Sequence, residues 1–244
     1  IGDSFLVSYF VKAVDGFIAM SKSVGDDLRV FDKKKPCLWS PHPLYDNFGK
    51  AISRDEALKQ LGFDPSFRYL LFFGIIRRYK GLDLLLEAFA DARLRNFKLK
   101  LIIAGEFYED EKYFLDIVEK FRLREHIHLC NFFVPDSEVG KYFCAADLVT
   151  QPYRSATQSG VTQIAFHFEI PMLVTNVGGL AEVVKDGKSG YVVEPQPLAI
   201  ADGLVDFFQH SRHSSMIENV KVEKKAYGWD IFTQNIEKLY NQIV

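Results

Sequence analysis

The chain has 244 residues, 48% of them hydrophobic and 25% charged, which excludes intrinsic disorder and bounds it at one large domain or one and a half. Its 30 basic and 32 acidic residues give a net charge of -2, so no global positive field exists to hold nucleic acid or an anionic membrane. The longest apolar run, from Tyr69 to Ile76, is far shorter than the roughly 20 residues that span a bilayer.

Three cysteines (Cys37, Cys130, Cys144) without a CxxC pair exclude a zinc ribbon and a disulfide scaffold and suit a reducing cytoplasm. The first residue is Ile1 rather than Met, and no signal-peptide pattern precedes Asp3, so the expectation is a piece of a longer protein. Residues 1–50 offer a strand at 16–20, then the short apolar run Cys37–Trp39 amid Lys33-Lys-Lys-Pro36 and Ser40-Pro-His-Pro43. That stretch reads as the end of one unit and a linker, with a break near His42.

From there the pattern alternates. Strands are expected at 69–73, Leu99–Ala104, Ile127–Cys130, 148–150, Met172–Thr175 and Gly190–Val193, most of them apolar throughout. Continuous apolar strands are those buried on both faces of a parallel sheet. Between them lie helices at Arg54–Leu61, 81–92, 111–121, 137–145, 160–168 and 199–209. Ser53 and Glu56 have the spacing of a capping box, and Leu84, Leu85, Ala88 and Phe89 give the stripe of a helix laid on a sheet. The fold class that follows is α/β, with a doubly wound, Rossmann-like parallel sheet. Residues 229–244 form an amphipathic helix whose apolar side, including Phe232, Ile236 and Leu239, needs a surface to cover.

In such sheets ligands bind beyond the carboxyl ends of the strands, where helix N-termini offer free amides. After the strand at 69–73 comes Gly74-Ile-Ile-Arg-Arg-Tyr-Lys-Gly81. Gly74 lets the backbone turn closely around a ligand, and Arg77, Arg78 and Lys80 crowd a loop before a helix N-terminus. Cations avoid that end of a helix unless an anion lies between, so a phosphate or diphosphate site is one reading. A basic turn paired with Asp83 or Glu87 is the other.

After 148–150 comes a run of small polar residues through Thr157, Gln158, Ser159 and Gly160, which is either a ligand loop or a polar loop with a Ser cap. Gly178 and Gly179 suggest a close backbone approach or a turn of positive φ. Phe132, Phe133 and Val134 could wall a nucleobase or simply fill the core. Gly187-Lys188-Ser189 lacks the upstream glycine of a phosphate-binding P-loop and precedes a strand. There is no GxGxxG, no GxSxG and no Asp-x-Asp pair. Glu109-Asp110-Glu111 reads as a helix start, and the six histidines are scattered, with His126 and His128 structural and His42 the one to watch.

Together these segments resemble the nucleotide-sugar-binding C-terminal half of retaining glycosyltransferases with the GT-B architecture, the large family-four type. The stretches that carry the resemblance are Phe72-Phe-Gly-Ile-Ile-Arg-Arg-Tyr-Lys-Gly81, Leu101-Ile-Ile-Ala-Gly105, Ala145-Ala-Asp-Leu148 and the run from Val174 to Gly190, in the family's order. The resemblance implies that residues 1–41 end an N-terminal acceptor domain, 42–228 form the donor-binding domain, and 229–244 form a crossover helix. It implies Arg77 and Lys80 as the groups that meet the charge of the departing diphosphate. Gly74, Arg78, Val134, Gln158, Ser159, Gly160 and Val161 would hold the donor. It implies no metal and no cofactor beyond the nucleotide diphosphate-sugar itself.

The partners it implies are that donor, a polysaccharide or lipid-linked acceptor, and a missing N-terminal domain. The expected place is cytoplasmic, with peripheral contact at the inner membrane face. Two departures stand out. Ile75 occupies the family's usual arginine position, and Ala156 and Ile164 fall where the family carries two glutamates, with Gln158 and Gln163 close by. The other class of function is a non-catalytic nucleotide-sugar- or partner-binding domain of the same fold, with a sugar epimerase as a weaker third.

Overall fold

A computed structural model describes residues 2–244. Two compact units divide them, one formed by residues 2–44 with Lys225–Val244 and the other by Tyr45–Lys224.

The smaller unit holds α1 (Gly2–Ala13), β1 (Phe17–Ala19), α2 (Lys22–Phe31), β2 (Cys37–Trp39) and, from the far end of the chain, α11 (Trp229–Ile243). β1 and β2 pair in parallel, with Phe17 opposite Cys37 and Ala19 opposite Trp39. α11 lies on these strands so closely that a Cβ on Gly16 would sit 2.8 Å from Cδ1 of Ile243. Asn235 also donates to the Ser40 hydroxyl at 3.0 Å. The helix α1 was not expected from its sequence; Phe5, Leu6, Tyr9 and Phe10 project from it, all exposed.

The larger unit runs α3 (Arg54–Leu61), β3 (Arg68–Phe73), α4 (Leu82–Phe89), β4 (Leu99–Ala104), α5 (Glu111–Lys120), β5 (Ile127–Cys130), α6 (Asp136–Ala145), β6 (Leu148–Gln151), α7 (Gly160–His167), β7 (Met172–Thr175), α8 (Leu180–Val183), β8 (Gly190–Val193), α9 (Pro197–Gln209) and α10 (His213–Glu223). Its six strands are ordered β5-β4-β3-β6-β7-β8, and every pairing is parallel. The predicted α/β class and the doubly wound parallel sheet are therefore present.

Alternate residues of each strand serve opposite faces. Leu70, Phe72, Leu101 and Ile103 join Leu85, Leu86 and Phe89 of α4, Phe114 of α5, and Leu204 and Phe207 of α9 in one core. Phe73 meets Phe143 of α6 on the other face, and α3 packs beside α6. Burying each large apolar side chain contributes roughly 1.5–3 kcal/mol, so this double-sided core is the main source of the unit's stability.

Local signals set the helix ends. Ser53 accepts from the Glu56 amide at 3.2 Å, and Gly62 closes α3 at φ +69. Only half of the predicted capping box forms, because the Glu56 carboxylate accepts from Gln60 instead. The buried Asp147, just before β6, takes Arg54 at 3.1 Å, Arg68 at 2.8 Å and the Tyr69 amide at 2.7 Å. One carboxylate thus fixes the starts of α3, β3 and β6 together.

Candidate functional site

In the strand order, β3 has its sequence successor β4 on one side and β6 on the other, so the winding reverses between β3 and β6. Loops leaving neighbouring strands in opposite directions open a crevice at that point. Those two loops are residues 74–81 and 152–159. Between them lies a cleft of about 600 Å³.

Glycines bring the first loop into place. Gly74 has φ +92, and a Cβ there would stand 3.3 Å from Nζ of Lys80. Gly81 has φ +68, and a Cβ there would meet the Pro152 carbonyl oxygen at 1.9 Å, so a larger residue would push the two loops apart. Between them, Arg78–Lys80 forms one 3-10 turn.

The turn is clamped from the second loop. The Arg154 amide donates to the Tyr79 carbonyl at 2.7 Å, and its guanidinium donates to the Arg78 carbonyl at 3.0 Å. The same guanidinium grips both oxygens of Asp83 at 2.7 Å, and the Tyr113 hydroxyl adds a bond at 3.1 Å. Burial pulls the Asp83 carboxyl upward, but Arg154 and Tyr113 outweigh it and hold the group below the usual carboxylate range. The Asp83 side chain is thus engaged by Arg154 rather than by the basic turn.

That leaves Lys80 distinctive. Among the described residues its ammonium has no carboxylate within ion-pair reach, and its nearest aromatic face is Tyr153 at 5.7 Å. Desolvation, and secondarily the charge of Arg77, pull its pKa down to about 8. Arg77 is exposed, lies over the Tyr108 ring at 5.5 Å, and also has no ion-pair partner among the described residues. Arg78 differs in its partners, with its guanidinium over Tyr113 at 4.5 Å and 3.8 Å from Glu109. Of the expected residues of this loop only Lys80 lines the cleft; Gly74, Arg77 and Arg78 lie outside the lining.

The second loop presents Ala156, Thr157, Gln158, Ser159, Gly160 and Val161 to the cleft. Ser159 stands at the N-cap of α7, yet its side chain caps nothing. Its hydroxyl instead accepts from the buried Gln151 amide at 2.6 Å, and Gln151 in turn accepts from Thr162 at 2.7 Å. The first-turn amides of α7 therefore have no side-chain cap, and a helix N-terminus in that state favours an anion. Gly160 packs against the Tyr45 ring, which a Cβ there would meet at 2.9 Å. Aromatic walls come from Tyr45, Phe48, Tyr79 and Tyr153, none of which the sequence pattern singles out.

The remaining expected positions sort plainly. Gln158 reaches the cleft, whereas Gln163 is buried outside its lining with Oε1 lacking a hydrogen bond among the described residues. Ala156 and Ile164 both line it. Val134 is buried and lies outside it, while Phe132 and Phe133 are exposed, so they do not fill the core. A Cβ on Gly178 would meet the Ala156 carbonyl oxygen at 1.7 Å, so this glycine serves the packing of the second loop. His128 stacks on Phe63 at 4.2 Å, a structural role, and Asp110 caps α5 through the Lys112 amide at 3.0 Å. No three His, Cys, Asp or Glu side chains come together among the described residues.

Residues 53–223, which contain both loops, match the family model described as glycosyl transferases group 1. The chain belongs to that family. Similar proteins include an uncharacterised glycosyltransferase of Methanocaldococcus jannaschii, 25% identical over 98% of this chain and 63% of its own length. A D-inositol 3-phosphate glycosyltransferase of Corynebacterium urealyticum is 26% identical over 80% of this chain and 48% of its own. The chain thus spans between about half and two-thirds of these curated relatives. Among solved structures, sucrose-phosphate synthase from Thermosynechococcus elongatus superposes with a TM-score of 0.82 at 19% identity, covering 96% of this chain and 60% of that one. HepE of Anabaena in complex with UDP superposes at 0.77 with 15% identity, over 93% and 64%. These likenesses carry the GT-B fold. Ala156 and Ile164 stand in a cleft whose lining contains no carboxylate.

Proposed function

We propose that this chain is the donor-binding part of a glycosyltransferase that moves a sugar, with retention of configuration, from a nucleotide diphosphate-sugar to a polysaccharide or lipid-linked acceptor. The observation that carries the reading is Lys80, a desolvated ammonium without a carboxylate partner, beside Arg77 and facing the uncapped N-terminus of α7. Burying a cation without its counter-charge is costly, and a bound diphosphate removes that cost.

As the bond between sugar and diphosphate breaks, negative charge gathers on the leaving oxygen. Lys80 and Arg77 meet it electrostatically, and the amides of Gly160 and Val161 add hydrogen bonds. Groups aimed in advance at developing charge usually supply the largest catalytic contribution. In this proposal the protein's own cations do this work, without a metal. Gln158 and Thr157 hold the sugar through neutral hydrogen bonds, and the base lies against the exposed Phe132 and Phe133 beyond β5. The acceptor is held by the part of the full-length protein that this chain does not span, on the cytoplasmic side. Membership of the glycosyltransferase family favours transfer over a purely binding role.

The test is Arg77→Ala combined with Lys80→Ala. Loss of nucleotide diphosphate binding with an unchanged melting temperature supports the phosphate assignment. Wild-type affinity in the double variant removes it.

A further inference from the structure

The opposite end of the sheet carries a second concavity. It lies at the starts of β3, β4 and β6, between the strand ends and the turn that leads into α10, and measures about 380 Å³. That size is within the range of small-ligand pockets. Arg68, Lys98, Ser211, His213 and Ser214 bring polar groups to it, and Phe97 and Phe208 form an aromatic side whose ring centroids lie 5.9 Å apart.

The balance of charge decides what fits. Asp147 is the carboxylate in the lining, and it is already saturated by Arg54, Arg68 and the Tyr69 amide. Asp64 stands near Lys98 and accepts from the Ser66 amide at 2.8 Å. The lining thus sets two cations, Arg68 and Lys98, against the one carboxylate of Asp147, which leaves the pocket net positive. Among the described residues Lys98 has no ion pair, and Ser211, Ser214 and the His213 ring make no side-chain hydrogen bond at the pocket beyond the helix turn they belong to. Several donors and a net positive charge in one concavity suit a tetrahedral dianion better than a planar monoanion, because a phosphate offers three oxygens to separate donors.

We propose that this pocket binds a phosphate monoester of about sugar size, with the phosphate between Lys98, Arg68 and the Ser211 and Ser214 hydroxyls and the carbon skeleton against Phe208. The site stands apart from the donor cleft, at the other end of the strands, and does not rest on the glycosyltransferase reading. The phosphate monoester can come from a soluble metabolite or from a phosphatidic acid headgroup, and the experiment separates the two.

Calorimetric titration of the whole chain with inorganic phosphate, glycerol 3-phosphate and acetate tests the class of ligand. Vesicles of phosphatidylcholine with and without phosphatidic acid test the lipid source. Lys98→Gln and Ser214→Ala remove pocket donors, both at exposed positions. Lys80→Gln is the control for the donor cleft. The expected result is millimolar or tighter binding of both phosphates, weakened about tenfold by Lys98→Gln, and untouched by Lys80→Gln. Vesicle binding that requires phosphatidic acid and Lys98 assigns the ester to lipid, and soluble binding without it assigns a metabolite. Acetate binding as well as phosphate, phosphate binding indifferent to Lys98→Gln, or loss of it in Lys80→Gln each overturns the site.

Discussion

Lys80 has the only lysine pKa among the described residues that burial pulls as far as about 8, and this yields a signed pH dependence. A diphosphate binds the ammonium form and raises its pKa in the complex. Affinity is therefore full below about 8 and falls as pH rises through that value, by roughly tenfold at one unit above it. Titration of the chain with UDP between pH 7 and pH 9 reads this directly, and Lys80→Gln should give a weaker but flat profile. A wild-type profile as flat as the variant's would place the diphosphate elsewhere. In the full-length enzyme the same substitution should lower kcat by about a hundredfold, the usual cost of removing one group aimed at developing charge. An effect confined to KM would mean that Lys80 binds the ground state only.

Loops and helices set the next scale, because the turn at 78–80 has little holding it internally. Its position depends on Arg154 reaching across from the β6 loop, and on Gly81 passing under Pro152. Arg154→Ala removes charge-assisted bonds to a largely buried carboxylate, each worth roughly 1.5–3 kcal/mol. The expectation is a lower melting temperature together with weaker nucleotide binding, and Arg154→Lys should recover stability better than affinity. Calorimetry and thermal melting together check it. Gly81→Ala should cost roughly 1–3 kcal/mol through strain and displace Lys80. Unchanged UDP affinity in either variant would detach the clamp from the site.

At this scale the fold is legible in the sequence where apolar residues repeat without interruption. The apolar strands Leu99–Ala104 and Met172–Thr175 have the observed bounds because both faces are buried. α10 escaped notice because Met216 and Val220 are its buried residues among polar neighbours, and α1 because its apolar side chains follow no covered stripe. Lys80, Gln158, Ser159, Gly160 and Val161 share one cleft lining, and they stand out in sequence because small polar residues, glycines and loop cations sit just after strands. Arg154, Tyr45 and Tyr153 do not, since their roles come from contacts between segments far apart in sequence. Arg78 looks identical to Arg77 in sequence, and their different partners, Tyr113 with Glu109 for Arg78 and Tyr108 for Arg77, come from segments distant in sequence.

At the scale of the whole molecule, Asp147 and the α1 surface make opposite predictions. Asp147→Ala leaves Arg54, Arg68 and the Tyr69 amide without their shared partner and should cost roughly 1–3 kcal/mol, read by urea denaturation. The exposed Phe5, Leu6, Tyr9 and Phe10 form an apolar surface of the kind that drives association. Sedimentation velocity should show this chain associating with rising concentration, and Phe5→Glu with Phe10→Glu should leave a monomer. No helix of the described residues is long and apolar enough to cross a membrane.

In the proposed function the Lys80 cleft holds a nucleotide diphosphate through protein cations. The most direct measurement is calorimetric titration of the chain with UDP, GDP and ADP, with and without EDTA, in wild type and in Lys80→Gln. The account predicts micromolar binding of one of the three, unchanged by EDTA and lost or strongly weakened in the variant. Binding that EDTA abolishes, or that Lys80→Gln leaves intact, would contradict it.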